Sequence, residues 1–116
     1  MRINLLAAVI PLVAVFAGCK QSLPENAKRG QTDLLRYGCG SCHSVDGLPT
    51  ARGLVGPPLT GLRNRMYIAG MLPNSPDNLQ RWIHNPKDVN PNTAMPALGV
   101  SDRDAADIAA YIYSIP

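Results

Sequence analysis

Cys39-Gly40-Ser41-Cys42-His43 decides how this chain is read. Two thiols three residues apart, followed at once by a histidine, form the C-x-x-C-H pattern through which c-type haem is attached. The spacing has a physical sense. On a single turn two thiols can reach both vinyl groups of one porphyrin, and the next side chain then presents an imidazole to the iron. Three other chemistries share parts of the pattern. A thioredoxin-like C-x-x-C belongs to a βαβ unit, whereas here a helical stretch precedes the motif and no βαβ pattern exists. A structural zinc site takes four ligands. Cys39, Cys42 and His43 are three, and His84 is the other histidine. A plain disulfide between Cys39 and Cys42 is the last alternative.

The segments around the motif read as helices separated by long loops. Ahead of it a helical pattern runs from about Pro24 to Arg36, with Ala27, Gly30, Leu34 and Leu35 as its candidate buried positions. Gly30 inside that helix costs roughly 1 kcal/mol relative to Ala, so it needs a reason; close approach of another helix is a sufficient one. Tyr37 and Gly38 end the helix. Residues 44–61 hold Gly47, Pro49, Gly53, Gly56, Pro57, Pro58 and Gly61, too many breakers for regular structure. A bare loop of that length in a small domain calls for a function, and wrapping a cofactor supplies one. Residues 62–71 are a candidate short helix. Ser75 and Pro76 open the next helix as N-cap and first helical residue, with Leu79, Trp82 and Ile83 on its apolar face, and Pro86 stops it. Residues 89–100 return to loop. The last helix spans about Asp102 to Ser114. Ser101 and Asp104 resemble a capping box, and Ala105, Ile108, Ala109 and Ile112 make the buried stripe. No internal repeat and no strand is evident.

Composition agrees with a single cofactor-filled domain. The chain has 116 residues, is 46% hydrophobic and only 5% aromatic. A chain this short buries a limited share of its surface and often needs a staple; a haem would fill the core that the aromatics do not. The formal net charge is +3, with basic residues scattered and not interleaved with aromatics, which leaves nucleic-acid binding without support.

The three cysteines are Cys19, Cys39 and Cys42. An odd count argues against a simple disulfide framework. Ahead of Cys19, Arg2 is followed by an almost wholly apolar run over residues 3–16, shorter than the roughly 20 residues of a membrane span and suited to a secretory signal. Phe16-Ala17-Gly18-Cys19 looks like a bacterial lipobox, with Phe16 where Leu is usual. Lipidation of Cys19 after removal of residues 1–18 would account for the odd thiol. Val15 and Ala17 also fit an ordinary signal-peptidase site, and an uncleaved anchor is the third possibility. All three expect the domain outside the cytoplasm, in an oxidising compartment.

The sixth iron ligand should be soft and lie well downstream of His43. Met1 is in the leader. Met66 and Met71 fall in or beside the candidate short helix, where packing in the core or at the haem edge is expected of them. Met95 lies in a loop and is followed by Pro96, so its sulfur can turn inward without sacrificing helix bonds. His84, near a helix end, is the remaining competitor.

With these residues in view the chain resembles a class I cytochrome c of the bacterial, single-haem kind, over about residues 25–115. The resemblance is carried, in order, by Gly30, by the motif from Cys39 to His43, by Gly56-Pro57-Pro58-Leu59-Thr60-Gly61, by Trp82, by Thr93-Ala94-Met95-Pro96 and by a closing helix with Tyr111. It implies an all-α cytochrome c fold, three to four helices and long loops wrapped around one covalent haem c. Residues 1–18 would be a lipoprotein signal peptide, residues 19–24 a tether and residues 25–116 the cytochrome c domain. It also implies roles for single residues. Cys39 and Cys42 would carry the haem, and His43 and Met95 would be the axial iron ligands. Pro57 would offer its carbonyl to His43, and Leu59 would pack on that side. Gly30 would meet the last helix near Tyr111. Arg81 and Trp82 are candidates for propionate contacts, with Tyr67 and Arg52 as further ones, and Asn92 or Thr93 for a hydrogen bond near the Met95 sulfur.

The implied activity is not enzymatic. With both axial positions filled, such a protein passes single electrons. Its expected partners are redox proteins of a respiratory chain (a dehydrogenase, a cytochrome complex or a terminal oxidase) in the periplasm, with the membrane reached through lipid on Cys19. A haem enzyme or gas sensor, the rival class, needs an open sixth position.

Overall fold

The computed structural model describes residues 22–116. The leader and Cys19 lie outside them. Four helices carry the domain: α1 (Glu25–Arg36), α2 (Pro76–His84), α3 (Pro86–Val89) and α4 (Asp102–Ser114). Among the described residues no helix is long and apolar enough to cross a membrane.

Each boundary has a local cause. Gly38 at the end of α1 adopts φ +79°, the left-handed residue that commonly closes a helix, and its N–H donates to Leu35 O at 3.1 Å. Ser75 caps α2 by accepting from the Asn78 N–H at 3.2 Å, with Pro76 as the first helical residue. Pro86 ends α2 but also begins α3, since proline is tolerated in a first turn. Ser101 caps α4, accepting from the Asp104 N–H at 3.1 Å.

The expected helix over residues 62–71 is replaced by a short 3-10 turn, Leu62–Asn64, and a minimal antiparallel hairpin. Its strands are β1 (Tyr67–Ile68) and β2 (Leu72–Pro73), with Tyr67 opposite Pro73 and Ile68 opposite Leu72. Gly70 and Ala69 both take positive φ in the connection. That backbone cannot continue a helix.

Helices α1 and α4 pack against each other at Gly30. A Cβ on Gly30 would lie 1.8 Å from the carbonyl oxygen of Asp107, so only glycine permits this approach. The crossing lies at Asp107 and Ile108, one turn before the expected Tyr111. Tyr111 takes part through its hydroxyl, which is 3.4 Å from Gln31 Nε2. Ala27 and Leu34 of α1 and Ala105, Ile108, Ala109, Tyr111 and Ile112 of α4 are buried. Leu35, expected in the core, is 39% exposed; on a 3.6-residue period it falls beside the stripe set by Ala27, Gly30 and Leu34.

Two polar ties fasten the same helix pair. The carboxylate of Asp107, buried at the crossing, accepts from Arg29 Nε at 2.7 Å and Nη2 at 3.2 Å. Asp104 accepts from Tyr37 Oη at 2.7 Å and Arg36 Nη2 at 3.0 Å. The Tyr37 bond, followed by those from Ser101 and Arg36, holds the Asp104 carboxyl below its ordinary pKa.

Gly30→Ala is expected to destabilise the folded protein. The roughly 1 kcal/mol gain in helix propensity is outweighed by an overpacking cost of about 1–3 kcal/mol, because backbone and not a flexible side chain stands in the way. Denaturant unfolding would show a lower midpoint; an unchanged or raised midpoint would contradict this packing. Asp104→Asn is expected to lower stability at neutral pH. A depressed carboxyl pKa stabilises the fold above the ordinary Asp value of about 3.9, and that stabilisation is lost as pH falls through the lower folded value. The gap between parent and variant should therefore close on acidification below about pH 4.

Candidate functional site

A cavity of about 550 Å³ opens between the helices and the two long loops. Its size is in the range of small-molecule and cofactor sites. Cys39, Cys42, His43, Pro57, Leu59, Trp82 and Met95 all stand on its walls, joined by apolar groups such as Leu34, Ile68, Leu79 and Ile108.

The motif is shaped by a tight turn. Residues Cys39–Ser41 form a 3-10 helix entered from left-handed Gly38, and the N–H groups of Cys42 and His43 both donate to Cys39 O, at 3.2 and 3.0 Å. That single turn brings both thiols and the imidazole to one cavity. No disulfide joins Cys39 to Cys42. Beside Cys39, Cys42 and His43 the cavity walls carry no Asp, Glu or second His among the described residues, so a four-ligand zinc centre lacks a donor. The βαβ frame of a thioredoxin-like site is absent among the same residues.

The loop after the motif is strapped back onto it. The Gly53 N–H is shared between Gly40 O at 3.0 Å and His43 O at 3.2 Å, the Gly56 N–H donates to Cys42 O at 2.7 Å, and the Leu59 N–H to Ser44 O at 2.9 Å. A Cβ on Gly56 would come within 2.3 Å of the His43 ring, so the loop lies on the imidazole itself. The strap delivers the Pro57 carbonyl to His43 Nδ1 at 2.7 Å. A carbonyl can only accept, so Nδ1 carries the proton and Nε2 keeps its lone pair free for a metal. Such an outer bond fixes the ring and raises its basicity as a ligand.

Met95 is half-buried, in a loop braced from within. Its N–H donates to Thr93 Oγ1 at 3.2 Å, the Thr93 N–H donates to Asn90 O at 3.0 Å, and Lys87 Nζ donates to Thr93 O. Thr93 thus supports the Met95 backbone, whereas Asn92 is exposed and off the walls.

The competing ligands are elsewhere. His84 turns Nδ1 to Val100 O at 2.8 Å and is not on the walls. Met66 and Met71 are 79% and 52% exposed and off the walls, correcting the expectation that they pack in the core or at the cofactor edge. Tyr67 reaches the cavity, but Arg81 and Arg52 do not. Arg81 is exposed on α2, because one residue along a helix turns the side chain by about 100°, away from the face that Trp82 presents to the cavity.

One wall residue was missed from sequence. Arg65 is the single lysine or arginine on the cavity walls among the described residues, and its Nη2 donates to Pro58 O at 2.6 Å. The nearest signal is its position four residues after Gly61, which no pattern singled out.

These residues fit a covalent haem. The cavity is mainly apolar, two thiols and an imidazole share one turn beside it, a thioether stands on the same walls, and one cation is available to acidic substituents. The comparisons agree. A cytochrome c family model matches residues 27–116. The chain is 34% identical over 90 residues, 77% of its length, to cytochrome c oxidase subunit 2 of Alkalihalophilus pseudofirmus, covering 25% of that protein. It is 32% identical over 71 residues, 60% of its length, to cytochrome c oxidase subunit 2 of Bacillus sp. strain PS3, covering 20% of that protein. With cytochrome c of Tetrahymena pyriformis it shares 28% identity over 102 residues, 81% of this chain and 94% of that one. The chain therefore spans a quarter or less of the oxidase subunits it matches and nearly all of the Tetrahymena protein. No solved structure matches it significantly. The chain belongs to the cytochrome c family: it is mostly helical, with haem c bound covalently through Cys39 and Cys42.

Proposed function

We propose that this domain carries a single haem with His43 and Met95 as its axial ligands, and passes one electron at a time between respiratory-chain partners outside the cytoplasm. The observation that carries this reading is that Cys39, Cys42, His43 and Met95 wall one cavity, with His43 oriented by Pro57. Bound haem supplies an iron that cycles between ferrous and ferric states. The protein's part is to hold the ligands still and exclude water. Met95 offers a neutral thioether, which raises the reduction potential. Apolar walls from Leu34, Leu59, Leu79 and Ile108 act in the same direction, because the more highly charged ferric state is costly in low dielectric. Arg65 suits a haem propionate as its counter-charge, and Trp82, on the same walls, carries an indole N–H that could serve a propionate as well.

The likeness to oxidase subunits supports a terminal oxidase among the partners. Such partners bind briefly through small interfaces. The leader pattern supports export, and Cys19 supports a lipid anchor that would restrict diffusion to the membrane plane.

Carbon monoxide distinguishes this carrier from a haem enzyme or gas sensor. Reduced wild-type protein at neutral pH is expected to leave carbon monoxide unbound, and Met95→Ala to bind it readily with a lowered potential. Ready binding by the wild type, or an unchanged potential in the variant, would remove Met95 as ligand. Cys19→Ser is expected to move the protein from the membrane fraction to the soluble fraction of its host; retention in the membrane would remove the lipid anchor.

A further inference from the structure

The carboxamide of Asn74 makes three hydrogen bonds, and it lies between α4 and the only cationic wall of the cavity among the described residues. Asn74 directly follows β2. Its Nδ2 donates to Leu62 O at 2.8 Å and to Arg65 O at 2.7 Å. Its Oδ1 accepts from the Tyr113 hydroxyl of α4, and its backbone N–H donates to Met66 O at 3.0 Å. The orientation follows from the partners: two carbonyls require the amide nitrogen, and that leaves the oxygen for the phenol. The Tyr113 phenol, whose pKa burial raises above its ordinary value, is a donor at neutral pH.

Beyond this amide the exit of the turn is held by the Arg65 N–H on Leu62 O at 3.0 Å and the Asn74 N–H on Met66 O at 3.0 Å, both backbone bonds, and the Asn74 side chain ties it to α4. A 3-10 helix of three residues is short and poorly bonded, and Arg65, just after it, has already turned to extended backbone. The side chain of Arg65 leaves that point for the cavity and reaches Pro58 O, one peptide from the carbonyl that orients His43. Asp, Leu or Ala at position 74 would lack the two donors.

We propose that Asn74, anchored by Tyr113, is a positioning residue for electron transfer that holds the Leu62–Arg65 turn so that the Arg65 guanidinium stays on the cavity wall. This rests on the haem-carrier reading. A fixed cation beside the haem disfavours the extra positive charge of the ferric state, so it raises the potential. Release of the turn lets Arg65 move into solvent, and the effect is lost.

The test is a spectroelectrochemical titration of holoprotein, with haem attachment in each variant first checked by intact mass and visible spectrum. Failure of the carrier reading would appear there, as protein without haem or as a reduced spectrum that changes under carbon monoxide, before any potential is measured. Asn74→Ala is expected to lower the reduced-to-oxidised ratio at fixed poise by roughly tenfold, which is about 59 mV for one electron. Arg65→Met is expected to do the same. The double variant should fall no further than Arg65→Met alone, because Asn74 acts through Arg65. Tyr113→Phe, which removes one hydrogen bond and leaves the core intact, is expected to shift the ratio in the same direction by roughly twofold. That variant keeps the test available if Asn74→Ala does not fold. A potential unchanged in Asn74→Ala or Tyr113→Phe, even with a lowered melting temperature, would overturn the proposal and leave only a structural tie. A double variant whose shift is the sum of the two single shifts would also overturn it.

Discussion

An apolar cavity of about 550 Å³ is the constraint on which the rest of this domain depends. Apolar walls of that extent are unfavourable in contact with water, so the fold needs an apolar group to cover them. The helices do not close the space themselves: α1 and α4 meet at their Gly30 crossing, α2 lies against α4, and the two loops line what remains. Haem is thus a structural element of the core as well as its redox group. Bonding it to Cys39 and Cys42 ensures that the core cannot lose its filler by dissociation.

The loops can then be understood as holders. Residues 53–59 lie on the motif and carry the Pro57 carbonyl to His43; residues 90–96 are braced through Asn90, Thr93 and Lys87 and bring Met95 to the same cavity. The first support reaches the His43 imidazole itself, and the second the backbone of Met95. Geometry fixed in this way should change little when one electron arrives or leaves, which is what rapid transfer requires of a carrier.

Much of this was legible in the sequence because its causes are local. The C-x-x-C-H spacing, the Ser75 and Ser101 caps, the stop at Gly38 and the stripe of α4 each depend on residues within a turn or two. Gly30 announced a close contact, since its helix cost needed a reason. What the sequence did not show depends on distant partners. The hairpin of β1 and β2 has two residues per strand, too few for a period to register. Buried Asp107 is explained by Arg29, 78 positions away. Arg65 and Asn74 acquire meaning only when the turn after Leu62 is folded against α4. Arg81 stood beside Trp82 as a candidate through the family resemblance, and helix rotation separates the two. The leader and Cys19 lie outside the described residues, so export and lipidation stand on sequence pattern alone.

The most direct measurement is the mass of the peptide spanning Cys39 to His43, released by proteolysis from holoprotein made in a host with haem-maturation machinery. The peptide is expected to carry one haem, bound through two thioethers and retained under denaturing acid. A peptide with two free thiols, or one that loses its haem on denaturation, would contradict the covalent core on which this description is built.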